Sequence, residues 1–239
     1  GKGATQIIPF LLDSTNINAL VVDPKGEAAE ATADHRAKKY GQKVHILDPF
    51  HTTRFAKKRL ATYNPLDHID PSKNASFRQI NALADGLVMR HSKEAGHWDD
   101  GAKQVIAGFI AHVVSHPDYE GKRSLPTMRK LITTTGEALD HLLSAMLQNP
   151  ACGGLAQSAA NKLLNTGSEA GHFISGATTN TVWLDDPDMA DFLSSSSFKL
   201  ADLKTKKCDF HVELRRETCD WINEPIVSWL EETVNRAVM

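Results

Sequence analysis

Two short segments near the start of the sequence hold residue types that bind phosphate. The chain opens with Gly1-Lys2-Gly3, and Thr5 follows as a possible hydroxyl ligand. In a phosphate-binding loop, backbone N–H groups at a helix amino terminus surround the phosphates, and a lysine neutralises their charge. These residues could supply the last part of such a loop, although the glycine-rich stretch that normally precedes the lysine is missing. The alternative is a chain end with a solvated lysine.

The second segment is the turn Asp23-Pro24-Lys25-Gly26-Glu27, which follows a continuous apolar run. Ligands of open α/β sheets bind beyond the carboxyl ends of the strands. Asp23 could therefore support a metal ion or its waters, and Lys25 could reach a phosphate. The same residues also suit a tight strand-to-helix turn, in which Asp-Pro-x-Gly is chosen for its dihedral angles and Glu27 lies in the first helical turn.

Hydrophobic patterning predicts the elements that would position these two segments. A short helix containing Pro9 is expected first, and Gly41 is expected to end a later Ala-rich helix. Strand, helix and strand then follow within about thirty residues, and this β-α-β pattern implies a parallel pair of strands. The predicted elements are a helix at 4–12, a strand at 18–23, a helix at 27–40 and a strand at 44–47.

Further along the chain the patterning becomes helical. Apolar residues recur every three or four positions from Trp98 to Val113, which indicates an amphipathic helix. Nine basic and nine acidic residues lie between positions 76 and 170, so this part is not expected to bind duplex DNA directly. The other elements predicted are helices at 124–133, 136–148 and 155–164, a strand at 208–214 by alternation, and a helix from Asn223.

Several motifs, in order and with sensible spacing, resemble the nucleotide-binding domain of type IV secretion coupling proteins of the TraG type, which serve conjugative DNA transfer. The resemblance covers roughly residues 1–207. It is carried by Gly1-Lys2-Gly3, Ile8-Pro9-Phe10-Leu11-Leu12, Val21-Val22-Asp23-Pro24-Lys25-Gly26-Glu27, Arg36, Gly41, Val44, Asp48-Pro49, Tyr63-Asn64-Pro65-Leu66-Asp67, Trp98-Asp99-Asp100-Gly101-Ala102, Trp183-Leu184, Asp186-Pro187, Ser196-Ser197-Phe198 and Asp202-Leu203.

This resemblance implies an α/β fold: a RecA-like P-loop nucleotide-binding domain, partial here and built on a parallel sheet, with an inserted all-α domain. The implied boundaries are 1–75 with 171–239 for the former and 76–170 for the latter. Family members are ATPases at the cytoplasmic face of the bacterial inner membrane and assemble as hexamers. They bring DNA with its bound relaxase, or effector proteins, to components of the secretion channel.

The resemblance also implies roles in binding ATP and Mg²⁺. Lys2 would contact the β- and γ-phosphates, and Gly1 and Gly3 would allow close backbone approach. Ala4 and Thr5 complete the segment, with Thr5 the weaker candidate for the magnesium side because the usual hydroxyl position is Gly3. Asp23 and Lys25 complete the predicted nucleotide site.

The sequence departs from the family in one respect that bears on catalysis. ATP hydrolysis in this class needs a strand ending in Asp-Glu, which holds the shell of the magnesium ion and activates water. No such strand follows residue 76, since Asp99-Asp100 and Asp185-Asp186 stand in helical or turn contexts. We therefore expect a fragment that does not hydrolyse ATP alone. The alternatives are a non-enzymatic module that recruits substrates and has a vestigial nucleotide site, and a DNA pump of the chromosome-translocase kind.

The remaining features restrict the function less. The segment 54–59, Arg-Phe-Ala-Lys-Lys-Arg, could contact DNA phosphates or a pore-side partner, or be a solvated loop. The three cysteines lack metal-ligand spacing and are expected to be reduced thiols. His112 and His116 are four residues apart but lack the glutamate of a zinc-protease helix, so no metal site is predicted. The net charge of −2 argues against a protein that coats nucleic acid.

Overall fold

A computed structural model describes residues 3–23, 25–89 and 96–212. These residues form two compact units, one from the described residues up to Tyr63 and from Ser196 onward, the other from Asn64 to Ser195. The second unit contains the predicted insert 76–170 and extends beyond it at both ends. One reason is Asn64, whose side-chain amide donates to the Arg123 carbonyl oxygen at 2.7 Å. The predicted domain boundaries stay a prediction.

The first unit is built on three parallel strands: β1 (Leu20–Val22), β2 (Lys43–Leu47) and β3 (Cys208–Val212). Their order is β1-β3-β2, with Val21 opposite His211 and Leu47 opposite Val212. The first two strands are thus parallel, as predicted, but they are not neighbours in the sheet. The strand β3 lies between them and provides the ladder for both.

The central strand β3 also differs from its prediction. Alternation of apolar and polar residues predicted a strand there, yet all five of its residues are buried. The apolar side places Phe210 against the rings of His45 and Phe198, with centroids 5.0 and 4.7 Å away. The polar side is buried as well, and an ionic partner balances the charge of Asp209 there. Leu214 and the helix predicted from Asn223 lie outside the described residues.

Helices of the first unit follow the predicted pattern closely. A π-helical turn at Gly3–Ile7 leads into α1 (Ile8–Asp13), and α2 spans Glu27–Tyr40. Gly41 ends α2 at a φ of 68°, a left-handed conformation that favours glycine. A short helix, Asp202–Thr205, precedes β3.

A buried ion pair joins these helices to the sheet. Arg36 of α2 donates from Nε and Nη2 to the two carboxylate oxygens of Asp209 at 2.6 and 3.1 Å. Its guanidinium also donates to the carbonyl oxygens of Leu11, Ser14 and Ile17 at 2.6–2.9 Å. Both side chains of the pair are fully buried. Buried charges are stable only when paired and hydrogen-bonded, and this arrangement meets that requirement.

The second unit is helical. Its longest helix, α4, is buried against α3, α5, α7 and α8 over most of the stretch from Gly101 to Val114. Gly108 lets α4 approach α7, since a Cβ there would lie 2.1 Å from the Cβ of Ala159. The helices are α3 (Ala75–Leu87), α4 (Gly96–Ser115), α5 (Leu125–Ile132), α6 (Gly136–Leu147), α7 (Ala151–Asn165), α8 (Glu169–Asn180) and α9 (Pro187–Phe192).

Helix α7 begins with a left-handed stretch. Cys152, Gly153 and Gly154 have φ angles of 53°, 70° and 74°, so regular right-handed helix starts only after them. This agrees with the predicted start at residue 155. Across the described ranges, no helix combines the length and the apolarity that crossing a bilayer requires.

Breaking the buried ion pair should destabilise the chain strongly. Arg36→Met leaves the Asp209 carboxylate buried without its cation, and we expect a loss of about 3–5 kcal/mol in the free energy of unfolding. Urea denaturation at pH 7 measures it. Asp34→Ala is the matched control, because it breaks an ion pair of 2.8 Å with Arg59 that is exposed on both sides, and it should cost less than about 1 kcal/mol. A loss below that value for Arg36→Met would contradict the assigned role.

Stability should also fall in mildly acidic solution because of buried histidines. Burial, reinforced by His116, lowers the pKa of His112 to about 4, and burial lowers the pKa of His45 to about 4 as well. An unfolded histidine titrates near pH 6.5, so between pH 6.5 and 4 the unfolded chain binds more protons than the folded one. The stabilisation is complete above pH 6.5 and is lost as the pH falls toward 4.

Urea midpoints at pH 7.5 and 5.0 test this pH dependence. We expect His112 to account for about 2 kcal/mol of the stability lost between these values, at roughly 1.4 kcal/mol per pH unit. His112→Gln should remove that part of the loss, whereas His141→Gln, at an exposed position of the same unit, should leave it unchanged. Equal losses in wild type and His112→Gln would show that His112 does not titrate in this way.

Candidate functional site

Contacts between α1 and α2 fix the direction of α1. Ile8 and Leu11 of α1 pack with Val21, in the middle of β1, and with Ala28, at the start of α2. The carbonyl oxygen of Leu12 accepts a hydrogen bond from the hydroxyl of Tyr40, the last residue of α2. Leu11, further along α1, offers its carbonyl oxygen to Arg36, two turns into α2. The two helices therefore run in the same direction, and their amino ends both lie at the carboxyl edge of the sheet.

This arrangement brings most of the predicted site residues to one edge. The backbone of Gly3 and Ala4 lies in the helical turn that leads into α1, and the side chain of Thr5 is exposed there. Asp23 and Lys25 lie in the turn that leads into α2. Gly1 and Lys2 lie outside the described residues. Pro9 takes the expected early position in α1.

Asp23 caps α2. Its Oδ2 atom accepts hydrogen bonds from the backbone N–H groups of Ala28 and Ala29 at 2.6 and 3.0 Å. The Gly26 N–H closes the turn onto the Asp23 carbonyl oxygen at 3.0 Å, and Gly26 has a φ of 71°. The geometry is thus that of the strand-to-helix turn weighed as an alternative, with the Oδ1 atom outside the two capping bonds.

The capping bonds decide which helix end can receive a phosphate. Free N–H groups at a helix amino terminus bind anions, but two of those in the first turn of α2 are occupied by Asp23. An anion at this edge would therefore meet the start of the helical turn Gly3–Ile7 that leads into α1. Lys25, whose side chain is exposed in the same turn, is placed to contribute a positive charge from the side.

A second aspartate lies at the carboxyl end of β2. Asp48, directly after β2, accepts four hydrogen bonds from the backbone and hydroxyl groups of Thr52 and Thr53, at 2.8–3.2 Å. Its carboxylate is buried and orders the loop that follows. This role is structural, and sequence patterning alone did not identify it.

Sequence analysis also missed His211. This residue of β3 lies opposite Val21, one position before the described end of the strand. It is fully buried, and neither ring nitrogen has a hydrogen-bond partner among the described residues. Burial lowers the pKa of His211, partly opposed by the charges of Asp209 and Asp23, so the ring is neutral at pH 7. Its polar type within an alternating strand was the only signal available.

The described residues contain no group of three or more His, Cys, Asp or Glu side chains that could hold a metal ion. Asp99 lies in the first turn of α4, and Asp100 follows it in the same helix. Asp185 binds Arg129 at 2.7 Å and Asp186 caps α9, so both predicted carboxylate pairs lie away from strand ends. A magnesium ion carried by a nucleotide needs only one or two protein oxygens, which Thr5 and Asp23 could provide.

Residues 1–230 match the family described as Type IV secretory system Conjugative DNA transfer. The chain is 25% identical over 200 residues to the conjugal transfer protein TraG of Rhizobium radiobacter, covering 82% of this chain and 30% of that protein. TraG of Agrobacterium fabrum is 24% identical over 201 residues, covering 82% and 29%. The chain thus spans less than a third of these relatives.

Solved structures give the same answer for the fold. The plasmid coupling protein TrwB in complex with a non-hydrolysable GTP analogue matches with a TM-score of 0.64 at 16% identity, covering all of this chain and 50% of that one. TrwB with a non-hydrolysable ATP analogue matches with a TM-score of 0.63 at the same identity and coverage. The predicted fold class, α/β with a RecA-like P-loop architecture, is confirmed.

Removing the cap should destabilise the chain without any nucleotide present. Asp23→Ala leaves the buried N–H groups of Ala28 and Ala29 without their acceptor, and we expect a loss of about 1–2 kcal/mol in urea denaturation. Asp23→Asn retains an oxygen acceptor and should lose less. Glu27→Gln, at an exposed position in the same helical turn, should change stability by at most about 0.5 kcal/mol. If Asp23→Ala were as stable as wild type, the capping role would be wrong.

Proposed function

Because the chain belongs to the type IV secretory system conjugative DNA transfer family, we propose that it binds ATP with Mg²⁺ at the carboxyl edge of its parallel sheet. In this proposal it serves a coupling protein that delivers DNA with its relaxase, or effector proteins, to the secretion channel. One observation carries the nucleotide site: the amino end of α1 lies at that edge, beside the Asp23–Glu27 turn.

The residues at this edge have complementary roles in the proposal. Lys2 neutralises the β- and γ-phosphates, while the backbone N–H groups of Gly1 and Gly3 approach them. Ala4 and Thr5 extend this segment into the amino end of α1, whose dipole favours negative charge. The Thr5 hydroxyl and the Oδ1 atom of Asp23 are oxygen donors of the kind that Mg²⁺ prefers. Lys25 reaches the phosphates from the second turn.

The relatives support the cargo and the nucleotide. TrwB structures hold non-hydrolysable GTP and ATP analogues, and the TraG relatives are conjugal transfer proteins. Hexameric assembly and a place at the cytoplasmic face of the inner membrane belong to the same proposal. The family match favours a coupling protein over a DNA pump of the chromosome-translocase kind.

Hydrolysis of ATP by this chain needs to be considered separately from ATP binding. The sequence contains no Asp-Glu pair, and the carboxylates Asp23 and Asp48 at the described strand ends are engaged in caps and turns. We propose that this chain alone binds ATP without turning it over efficiently. The same observation favours a second candidate, a module that recruits substrates and whose nucleotide site is vestigial.

Nucleotide titration separates these two candidates. With a fluorescent ATP analogue and Mg²⁺, we expect measurable binding by wild type and a dissociation constant about 10- to 100-fold higher for Lys2→Ala, the range of a charge-assisted hydrogen bond. Lys38→Ala, at an exposed position in the last turn of α2, should bind like wild type. Phosphate release from ATP should stay at background.

Other results of the nucleotide titration would support different conclusions. If wild type fails to bind nucleotide at millimolar concentration, the vestigial module is the better description. If Lys2→Ala binds as tightly as wild type, the nucleotide does not sit at the amino end of α1. Sustained phosphate release that Lys2→Ala abolishes would show that this chain hydrolyses ATP after all.

A further inference from the structure

We propose that the loop of residues 54–59, here called the basic loop, is a contact site for the phosphate backbone of single-stranded DNA. This proposal rests on the proposed function in one respect, the choice of DNA as the cargo. The basic loop itself contains none of the predicted nucleotide-binding residues. Three properties of the loop support the proposal: hydrogen bonds fix both of its ends, it presents two exposed lysines that form no ion pair within the described residues, and it includes a stacked guanidinium.

The loop is fixed at both ends. Before it, Asp48 holds Thr52 and Thr53 through four hydrogen bonds. After it, the Ala61 N–H donates to the Ile46 carbonyl oxygen of β2 at 2.7 Å. An ordered loop loses little conformational entropy on binding, so its charges are available at low cost.

Two arginines anchor the loop to α2, and two lysines do not. The Arg54 N–H donates to Glu30 at 2.9 Å, and its guanidinium lies 3.4 Å from the same carboxylate. Arg59 binds Asp34 at 2.8 Å. Lys57 and Lys58, between them in a 3₁₀ turn, are exposed, and no ion pair of either is found within the part of the chain that the structure describes.

Exposed lysines on a loop fixed at both ends are suited to bind a polyanion. Phosphates neutralised by lysine release bound counterions, and this release drives association at low salt. The chain as a whole carries a net charge of −2, so an overall positive charge would not explain binding of DNA. An acidic protein surface would meet the same charges but would gain nothing from the third property of the loop.

That property is the stacking of Arg59 on Phe55. The guanidinium carbon lies 4.7 Å from the ring centroid, and the arginine side chain remains 40% exposed. Arginine planes and aromatic rings are the surfaces on which unstacked bases pack. Bases in a duplex are already stacked on one another, which is why we assign a single strand to this site and not a duplex.

The location of the basic loop relates DNA binding to the predicted nucleotide site. The loop follows β2, so it lies at the same carboxyl edge as the Asp23–Glu27 turn, and Glu30 lies in the first turn of α2. A single strand bound here would run close to the predicted nucleotide. The two sites share an edge but use different residues, so each can be removed separately.

Paired lysine substitutions in the full chain provide the test. The probe is a fluorescein-labelled 20-nucleotide oligo-dT, titrated by anisotropy between 50 and 200 mM NaCl. For Lys57→Ala/Lys58→Ala we expect about tenfold weaker binding at the lowest salt. The slope of log K against log salt should fall by about 1.4, because each neutralised phosphate of a single strand contributes about 0.7. Lys38→Ala/Lys39→Ala, two adjacent exposed lysines at the other end of α2, should bind like wild type.

Arg59→Lys separates stacking from charge. It keeps the positive charge but removes the planar group, so oligo-dT should bind at least about threefold more weakly with an unchanged salt slope. A matching duplex should bind more weakly than oligo-dT to wild type and should not respond to Arg59→Lys. Urea denaturation confirms that each variant is folded.

Other outcomes overturn the proposal. Wild type that fails to bind oligo-dT at 50 mM NaCl, equal losses in the two double variants, or equal binding of duplex and single strand would each reject it. Weaker ATP-analogue binding by Lys57→Ala/Lys58→Ala would assign the loop to the nucleotide site. Because Lys2→Ala tests that site independently, failure of the basic loop and failure of the nucleotide proposal give different results.

Discussion

The first unit depends on the buried contact between Arg36 and Asp209. Asp209 belongs to the central strand and also accepts the Ala19 N–H at 2.9 Å, just before β1 begins. Arg36 belongs to α2 and holds three carbonyl oxygens, from the end of α1 and the segment that follows it. One ion pair thus joins segments separated by 173 positions in the chain. Its desolvation is costly, so all its partners must be in place together.

The candidate site follows from that contact. Arg36 fixes the carboxyl end of α1 against the later part of α2, and the amino end of α1 is thereby directed to the carboxyl edge of the sheet. At the same edge Asp23 and Asp48 satisfy the groups around them, one by capping α2 and the other by ordering a loop. The turn that leads into α1 is left as the position where backbone N–H groups can meet an anion.

Local elements could be predicted from the sequence because their signals are local. Helix α2 begins and ends where its first-turn glutamate and Gly41 indicated, and the breakers around Gly153 and Gly154 marked the real start of regular helix in α7. The strand order could not be predicted in this way. Both β1 and β2 pair with β3, which lies more than 160 positions after β2 in the chain. Local patterning does not indicate a pairing over that distance.

At the candidate site, too, residue types could be read from the sequence, whereas contacts between distant residues could not. Residue types predicted Asp23 in two roles, and only the three-dimensional positions of the Ala28 and Ala29 N–H groups revealed the cap. The burial of His211 and Asp209 could not be foreseen either, since polar residues at alternate positions normally indicate a solvent-facing side. In β3 that side is covered by α2, whose Arg36 compensates the charge of Asp209.

Helix α2 connects the two proposed sites physically. Its capped amino end is the turn predicted to contact the nucleotide, Glu30 and Asp34 hold the two arginines of the basic loop, and Arg36 holds α1. A helix of 14 residues moves as one body, since its backbone hydrogen bonds resist internal deformation. A displacement of the turn on nucleotide binding would therefore reach the basic loop and α1 together. This coupling does not require a series of side-chain movements. It requires only that successive turns of α2 contact the nucleotide turn, the basic loop and α1.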